Sequence, residues 1–138
     1  MSKFDWYKPT AQMLGRWQPW HEGHTALFKK AYEEIGQVII MVRWVSGVEG
    51  DAGAGRTESV QDDNPFTPGD VWINIEKTLK EEGFTIGKEY IIMDVPNIVD
   101  ISYGRGVGYT FTQHDLGEEI HNISATKIRA EMREKGQI

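Results

Sequence analysis

Residues 11–44 read AQMLGRWQPWHEGHTALFKKAYEEIGQVIIMVRW, and this stretch decides the fold. Its first part, Ala11 to Trp17, reads as a short strand. A turn-like patch follows at Gln18-Pro19-Trp20-His21. Leu27, Phe28, Ala31 and Ile35 then recur at helical spacing, which predicts a helix over Glu22 to Ile35. Gly36 stands where a glycine commonly ends a helix. Val38 to Trp44 is β-branched and apolar on both faces, the pattern of a buried parallel strand. Strand, helix and strand in this order make a βαβ unit.

The alternation continues outward. Residues 1–10 mix aromatic and polar side chains and read as a lead-in arm. Residues 46–64 are rich in glycine and acids and have no periodicity, which predicts a mobile loop at about 46–63. Thr67 is a good N-cap, Pro68 suits the first helical position and Asp70 can close a capping box. The helix they open carries Val71, Ile75 and Leu79 as its core stripe and stops at Gly83. Glu89 to Val95 reads as the next buried strand, ended by Pro96. Residues 96–122 are irregular, with Gly104, Gly106 and Gly108 alternating. Ser124 to Glu134 reads as the last helix, capped by Ser124, with Ile128 and Met132 on its apolar side. The expected fold class is α/β: βαβ units and a parallel sheet between helices, in a single small domain over residues 1–138. Ligands of such sheets sit beyond the carboxyl ends of the strands. The chemistry is therefore expected after Trp17, after Trp44 and after Val95.

Composition narrows the functions. Fifteen Lys and Arg against 21 Asp and Glu leave a formal charge of −6 over 138 residues. An acidic chain is a poor general coat for nucleic acid, which needs a basic face to neutralise phosphates. A local Arg/Lys cluster can still hold a small anion against the global charge. There is no cysteine, hence no disulfide, thiolate metal ligand or thiol nucleophile. The longest apolar run, Val38 to Val42, is far too short to span a bilayer. The first residues hold no apolar signal core, so a cytoplasmic location is expected.

Two segments carry chemistry. The first is Gly15-Arg16-Trp17-Gln18-Pro19-Trp20-His21-Glu22-Gly23-His24, at the first strand-to-helix junction. His21 and His24 project to one side of a helix start, where free N–H groups and the helix dipole favour an anion. The plain alternative is two surface histidines in a polar turn. Zinc is a further alternative, but His114 and His121 lack ligand-like spacing to the pair. The second segment is Ile123-Ser124-Ala125-Thr126-Lys127-Ile128-Arg129. Here cations stand near a helix N-terminus, where the macrodipole disfavours them. They are either solvated or bound to something strongly anionic.

Together the two segments resemble the HxGH nucleotidyltransferase superfamily, also called cytidylyltransferase-like. The HxGH motif matches His21 to His24. The family's ISSTxIR matches Ile123 to Arg129, with Ala125 at the second Ser. GRxQPxHxGH and Asn64-Pro65-Phe66-Thr67-Pro68-Gly69-Asp70 further resemble the archaeal-type nicotinamide mononucleotide (NMN) adenylyltransferases. Three features depart from that group, the first being an unusual inserted loop at 46–63. The stretch from Tyr109 to Ile123 is short, and no nicotinamide-facing Trp stands in Ile101 to Tyr109.

The resemblance implies a Rossmann-like sheet and transfer of a nucleotidyl group from a nucleoside triphosphate, ATP or CTP, to a phosphorylated small-molecule acceptor. It implies that His21, His24 and Arg129 act at the phosphates. Gly15, Arg16, Gln18, Gly23, Ser124, Thr126 and Lys127 would bind the nucleotide. Mg²⁺ would be carried on the substrate phosphates, with no protein side chain as ligand. Relatives of this kind often form homo-oligomers. For the acceptor, Arg43, Asn64, Tyr103 and Arg105 are the candidates; the alternative is surface pairing for the two arginines and a core position for Tyr103. Trp17 and Trp20 read as packing elements. Adenylyl transfer is the leading expectation. Cytidylyl transfer to a sugar, alcohol or glycerol phosphate is the alternative within the enzyme class, and a non-catalytic nucleotide sensor the alternative outside it.

Overall fold

The computed structural model describes residues 3–45, 64–106, 108–121 and 123–138. The expected loop at about 46–63 lies outside the described residues. The elements are β1 (Ala11–Gly15), α1 (Glu22–Ile35), β2 (Val38–Arg43), α2 (Pro68–Glu81), β3 (Tyr90–Val95), α3 (Glu118–His121) and α4 (Ala125–Glu134). The strands form one parallel sheet in the order β1-β2-β3. This is an α/β, Rossmann-like arrangement of a parallel sheet flanked by helices.

Register explains the core. Met13, Ile40 and Ile92 lie side by side across the three strands, and Val38 lies beside Tyr90. All five are buried and share one cluster with Phe28 and Ala31 of α1 and Val71, Ile75 and Leu79 of α2. Both long helices therefore bury their stripes on the same face of the sheet. Phe28 packs edge-on against Phe84 and Tyr90, with ring centres 5.0 and 5.5 Å away. Ile39 and Met41 point to the other face and are half-buried, so β2 is less enclosed than its apolar sequence predicts.

The helix ends follow local chemistry. Thr67 Oγ1 accepts from the Asp70 N–H at 3.2 Å, and Asp70 Oδ2 accepts from the Thr67 N–H at 3.1 Å, the capping box expected there. Gly36 closes α1 at φ 105°, a left-handed angle that costs a residue with a Cβ, and its N–H donates to the Tyr32 carbonyl at 2.8 Å. The lead-in arm is tied down by the buried Gln37. Its Nε2 donates to the Asp5 carbonyl and the Thr10 hydroxyl, both at 2.7 Å.

The elements differ from the sequence reading in several places, β3 beginning at Tyr90 rather than Glu89 among them. β1 ends at Gly15 and β2 at Arg43, so neither Trp17 nor Trp44 is in a strand. Trp17 has φ 53°, which no strand tolerates. A short helix, α3, stands in the segment expected to be irregular, and it packs on α1.

Candidate functional site

The turn from Gly15 to His24 leaves the carboxyl end of β1 and enters α1. Trp17 anchors it: the indole Nε1–H donates to the Met41 carbonyl at 3.0 Å. The ring covers Gly15 so closely that a Cβ there would lie 2.8 Å from Trp17 Cζ2. That contact gives a packing reason for the glycine, which the resemblance counts among the nucleotide-binding residues. Trp20 is buried as well, and its Nε1–H donates to Thr25 Oγ1 at 2.8 Å. Asn74 of α2 donates to the Trp20 carbonyl at 3.3 Å. Thr25 and Asn74 carried no signal in the sequence, because one hydroxyl and one amide on amphipathic helices look like ordinary helix residues.

The two histidines cap α1 themselves. His21 is the N-cap, and its Nδ1 accepts from the Gly23 N–H at 3.0 Å. The Nδ1 of His24 accepts from the His21 N–H at 3.1 Å. This is a capping box made of imidazoles, and it stacks the rings 3.7 Å apart. The group that approaches Gly23 is the ring of His21: a Cβ at Gly23 would lie 2.8 Å from His21 Cε1 and 3.6 Å from the Ile120 carbonyl of α3.

The capping has a chemical consequence. A neutral imidazole has one N–H and one acceptor nitrogen. Both Nδ1 atoms accept main-chain hydrogen bonds, so the ring proton of each sits on Nε2. Burial lowers the pKa of His21. His24 is lowered to about 3, first by burial and then by the neighbouring His21. Trp17 and Trp20 enclose it with ring centres 4.7 and 5.4 Å away. The pair is therefore neutral near pH 7 and carries two Nε2–H donors at the positive end of the α1 dipole, while the Gly23, His24 and Thr25 N–H groups are already taken by His21. Such a constellation suits a phosphate.

The last helix meets this turn through Arg129. Its side chain is 2% exposed, with Nη1 donating to the Gln18 carbonyl at 2.7 Å and Nη2 to Thr126 Oγ1 at 3.3 Å. Segments 111 residues apart are thus joined three residues before His21. Ser124 caps α4 by accepting from the Lys127 N–H at 3.4 Å. Thr126 and Lys127 are exposed.

Gln18, expected to bind nucleotide, has its side chain engaged by the protein itself. It is 3% exposed, and both ends of its amide are taken by the main chain of Phe66. Nε2 donates to the Phe66 carbonyl and Oε1 accepts from the Phe66 N–H, each at 2.9 Å. Arg16 holds the same segment, with Nη1 donating to Oδ1 of the buried Asn64 at 3.0 Å.

The acceptor candidates are not gathered in the same way. Asn64 joins the turn through Arg16. Arg43, at the end of β2, donates to the Ile98 carbonyl at 3.3 Å, beyond the end of β3. Tyr103 is 64% exposed rather than core and lies 6.2 Å from the ring of Phe111. Arg105 is exposed in the same stretch. Among the described residues no contact links Tyr103 or Arg105 to the histidine pair. His114 faces Glu34 at 4.0 Å. Among the described residues there is no group of three or more His, Cys, Asp or Glu that could hold a metal ion. None of the described helices is long and apolar enough to cross a membrane.

No family model matches the chain. It is similar to proteins named nicotinamide-nucleotide adenylyltransferase from archaea. Identity with that of Methanococcus aeolicus is 36% over 74 residues, covering 54% of this chain and 37% of that protein. With that of Ignicoccus hospitalis it is 34% over 85 residues, 62% of this chain and 43% of that protein. With that of Methanococcus maripaludis it is 32% over 93 residues, 67% and 44% respectively. The chain spans less than half the length of these curated relatives. The chain is thus similar to proteins named as adenylyltransferases, matched over part of their length.

Proposed function

We propose that the chain is a nucleotidyltransferase that moves an adenylyl group from ATP to a phosphorylated, NMN-like acceptor and releases pyrophosphate. The observation that carries this reading is the Arg129–Gln18 contact. It sets a guanidinium against a helix start capped by two neutral histidines. The similarity to archaeal adenylyltransferases supports the choice of ATP.

In the reaction an oxygen of the acceptor phosphate attacks the α-phosphorus of ATP. A new P–O bond forms, the bond from the α-phosphorus to the α–β bridging oxygen breaks, and its electron pair leaves with pyrophosphate. Placement and charge stabilisation do most of the work in such transfers. His21 and His24 would donate through Nε2–H to α-phosphate oxygens, their rings already held by the capping bonds. Ser124, Thr126 and Lys127, at the start of α4, would hold the outer phosphates. Arg129 and Arg16 would supply positive charge. Mg²⁺, when bound, would offset phosphate charge. It would be carried on phosphate oxygens and water, as Mg²⁺ on nucleotide substrates usually is. Gly23 keeps the space that the His21 ring needs. Arg43, Asn64, Tyr103 and Arg105 would face the acceptor, and a cytoplasmic enzyme, alone or as a homo-oligomer, fits this scheme.

The test is pyrophosphate release by the full chain with each NTP against a panel of phosphorylated acceptors that includes NMN. Turnover with ATP and NMN supports the reading. Turnover with CTP alone moves it to cytidylyl transfer. Nucleotide binding without turnover on any acceptor replaces it with a sensor.

A further inference from the structure

Residue 18 is where three segments of the chain meet. Its carbonyl accepts from Arg129 of α4 at 2.7 Å. Its side-chain amide exchanges two hydrogen bonds with the main chain of Phe66, both 2.9 Å. It is itself part of the turn that leads to His21. Gln18 is nearly the most buried polar residue of the site, at 3% exposed, and both ends of its amide are satisfied. Such a pairing mimics a rung of β-sheet between a side chain and a main chain. A buried amide of this kind costs free energy unless both its donor and its acceptor are met, so it enforces one position of the partner segment.

We infer that Gln18 is a positioning residue: it fixes the Asn64–Phe66 segment, on the acceptor side, relative to Arg129 and the histidine pair, on the triphosphate side. This rests on the proposed nucleotidyl transfer and goes beyond it, because it assigns Gln18 the alignment of two substrates in place of contact with either. The Arg16–Asn64 bond holds the same segment at its other end. Residue 18 also takes, on its carbonyl, the bond from Arg129 of α4. Thr67, next after Phe66, begins the capping box of α2, so the clamp sets where α2 starts as well. In-line displacement punishes small errors of alignment more than it punishes weaker binding.

Two variants test this in the full chain. Gln18→Met keeps the volume and removes both bonds to Phe66. The expected result is a fall in kcat of about 10- to 100-fold with KM for ATP within about threefold of wild type. Hydrogen exchange at the Phe66 amide should accelerate in the same variant. Gln18→Glu gives the sharper readout. The ionised carboxylate cannot donate to the Phe66 carbonyl, whereas the protonated acid can donate and accept as the amide does. Burial raises the pKa of such an acid, and the Arg129 guanidinium on the residue-18 carbonyl opposes that rise. The other charged or titratable groups in this turn and in the first turns of the helices that meet it are Arg16, His21, Glu22, His24, Asp70 of α2 and Lys127 of α4, which the variant shares with wild type. Turnover of Gln18→Glu relative to wild type should therefore rise on acidification from about pH 8 to about pH 5.5. A constant ratio across that range, kcat of Gln18→Met within twofold of wild type, or unchanged Phe66 exchange would each overturn the inference. The exchange measurement needs no turnover. If the wild type transfers no nucleotide but Phe66 exchange depends on Gln18, the proposed function fails while the clamp stands.

Discussion

The turn 15–24 and the segment 96–117 both lie beyond sheet ends where ligands of α/β folds bind, yet they are built in opposite ways. In the turn, Trp17, Gln18, Trp20, His21, Gly23 and His24 each make a hydrogen bond or ring contact to a neighbour. In the segment, Val99, Ile101, Tyr103, Tyr109 and Phe111 are all more than half exposed. Apolar side chains left more than half in water gain little from burial, so beyond contacts such as that of Tyr103 with Phe111 their rotamers are weakly held. The contrast teaches that the proposed triphosphate side is organised before any ligand arrives, while an acceptor side built on Tyr103 and Arg105 would be organised by the ligand itself. Preorganised donors cost no rearrangement during reaction. Ordering an exposed segment on binding does cost free energy, and that cost appears as weaker acceptor affinity.

The largest expected effect breaks the preorganised side. His24→Ala removes one Nε2–H donor and the acceptor for the His21 N–H. Its kcat should fall by about 10²- to 10³-fold, as for loss of a single donor in an oxyanion-type site, with circular dichroism close to wild type. Retained turnover would remove His24 from the mechanism.

Next comes the packing behind that side. Gly15→Ala pushes a methyl group against the buried Trp17 ring. Overpacking of this kind costs about 1–3 kcal/mol, read as a lower urea midpoint at unchanged slope. An equal midpoint would mean that the indole yields easily and the turn is softer than its contacts indicate.

The third effect is a pH dependence. His24 titrates near 6.5 when unfolded and at about 3 when folded. The unfolded chain therefore binds more protons between these values, and stability rises with pH there. The contribution is complete above about 6.5 and is lost progressively as pH falls towards 3, with His21 acting in the same direction. Thermal melts should drop across this window in wild type and less steeply in His24→Asn. Parallel curves would show that His24 is not held neutral.

The smallest effects belong to the exposed side. Tyr103→Ala and Arg105→Ala should leave the melting temperature unchanged, since exposed side chains remote from caps and core rarely shift stability by more than about 0.5 kcal/mol. If the segment orders around the acceptor, KM for the acceptor rises in both while KM for ATP does not. An equal rise in both KM values would place these residues elsewhere.

Much of this contrast was legible in the chain. The helix over Glu22 to Ile35 follows from the spacing of Leu27, Phe28, Ala31 and Ile35 and from Gly36, all local signals. The Thr67–Asp70 capping box is legible for the same reason. The capping role of His21 and His24 was hidden, because Ser, Thr, Asp and Asn are the usual caps and an imidazole in that place reads first as a ligand. The task of Gln18 was hidden too. Its partner is a main chain 48 residues away, and main-chain atoms carry no sequence signature. The short helix α3 escaped because four residues show no period.

By itself the order of residues determined the alternation of strands and helices, the caps that local side chains can make and the two segments where histidines, hydroxyls and cations gather. These depend on neighbours a few positions apart, where propensity and spacing act directly. Only the tertiary structure decided that Arg129 closes on Gln18, that Trp17 leaves its strand to cover Gly15, and that each imidazole carries its proton on Nε2. Those outcomes turn on which buried donors and acceptors meet once the chain is packed, and burial is a property of the whole fold.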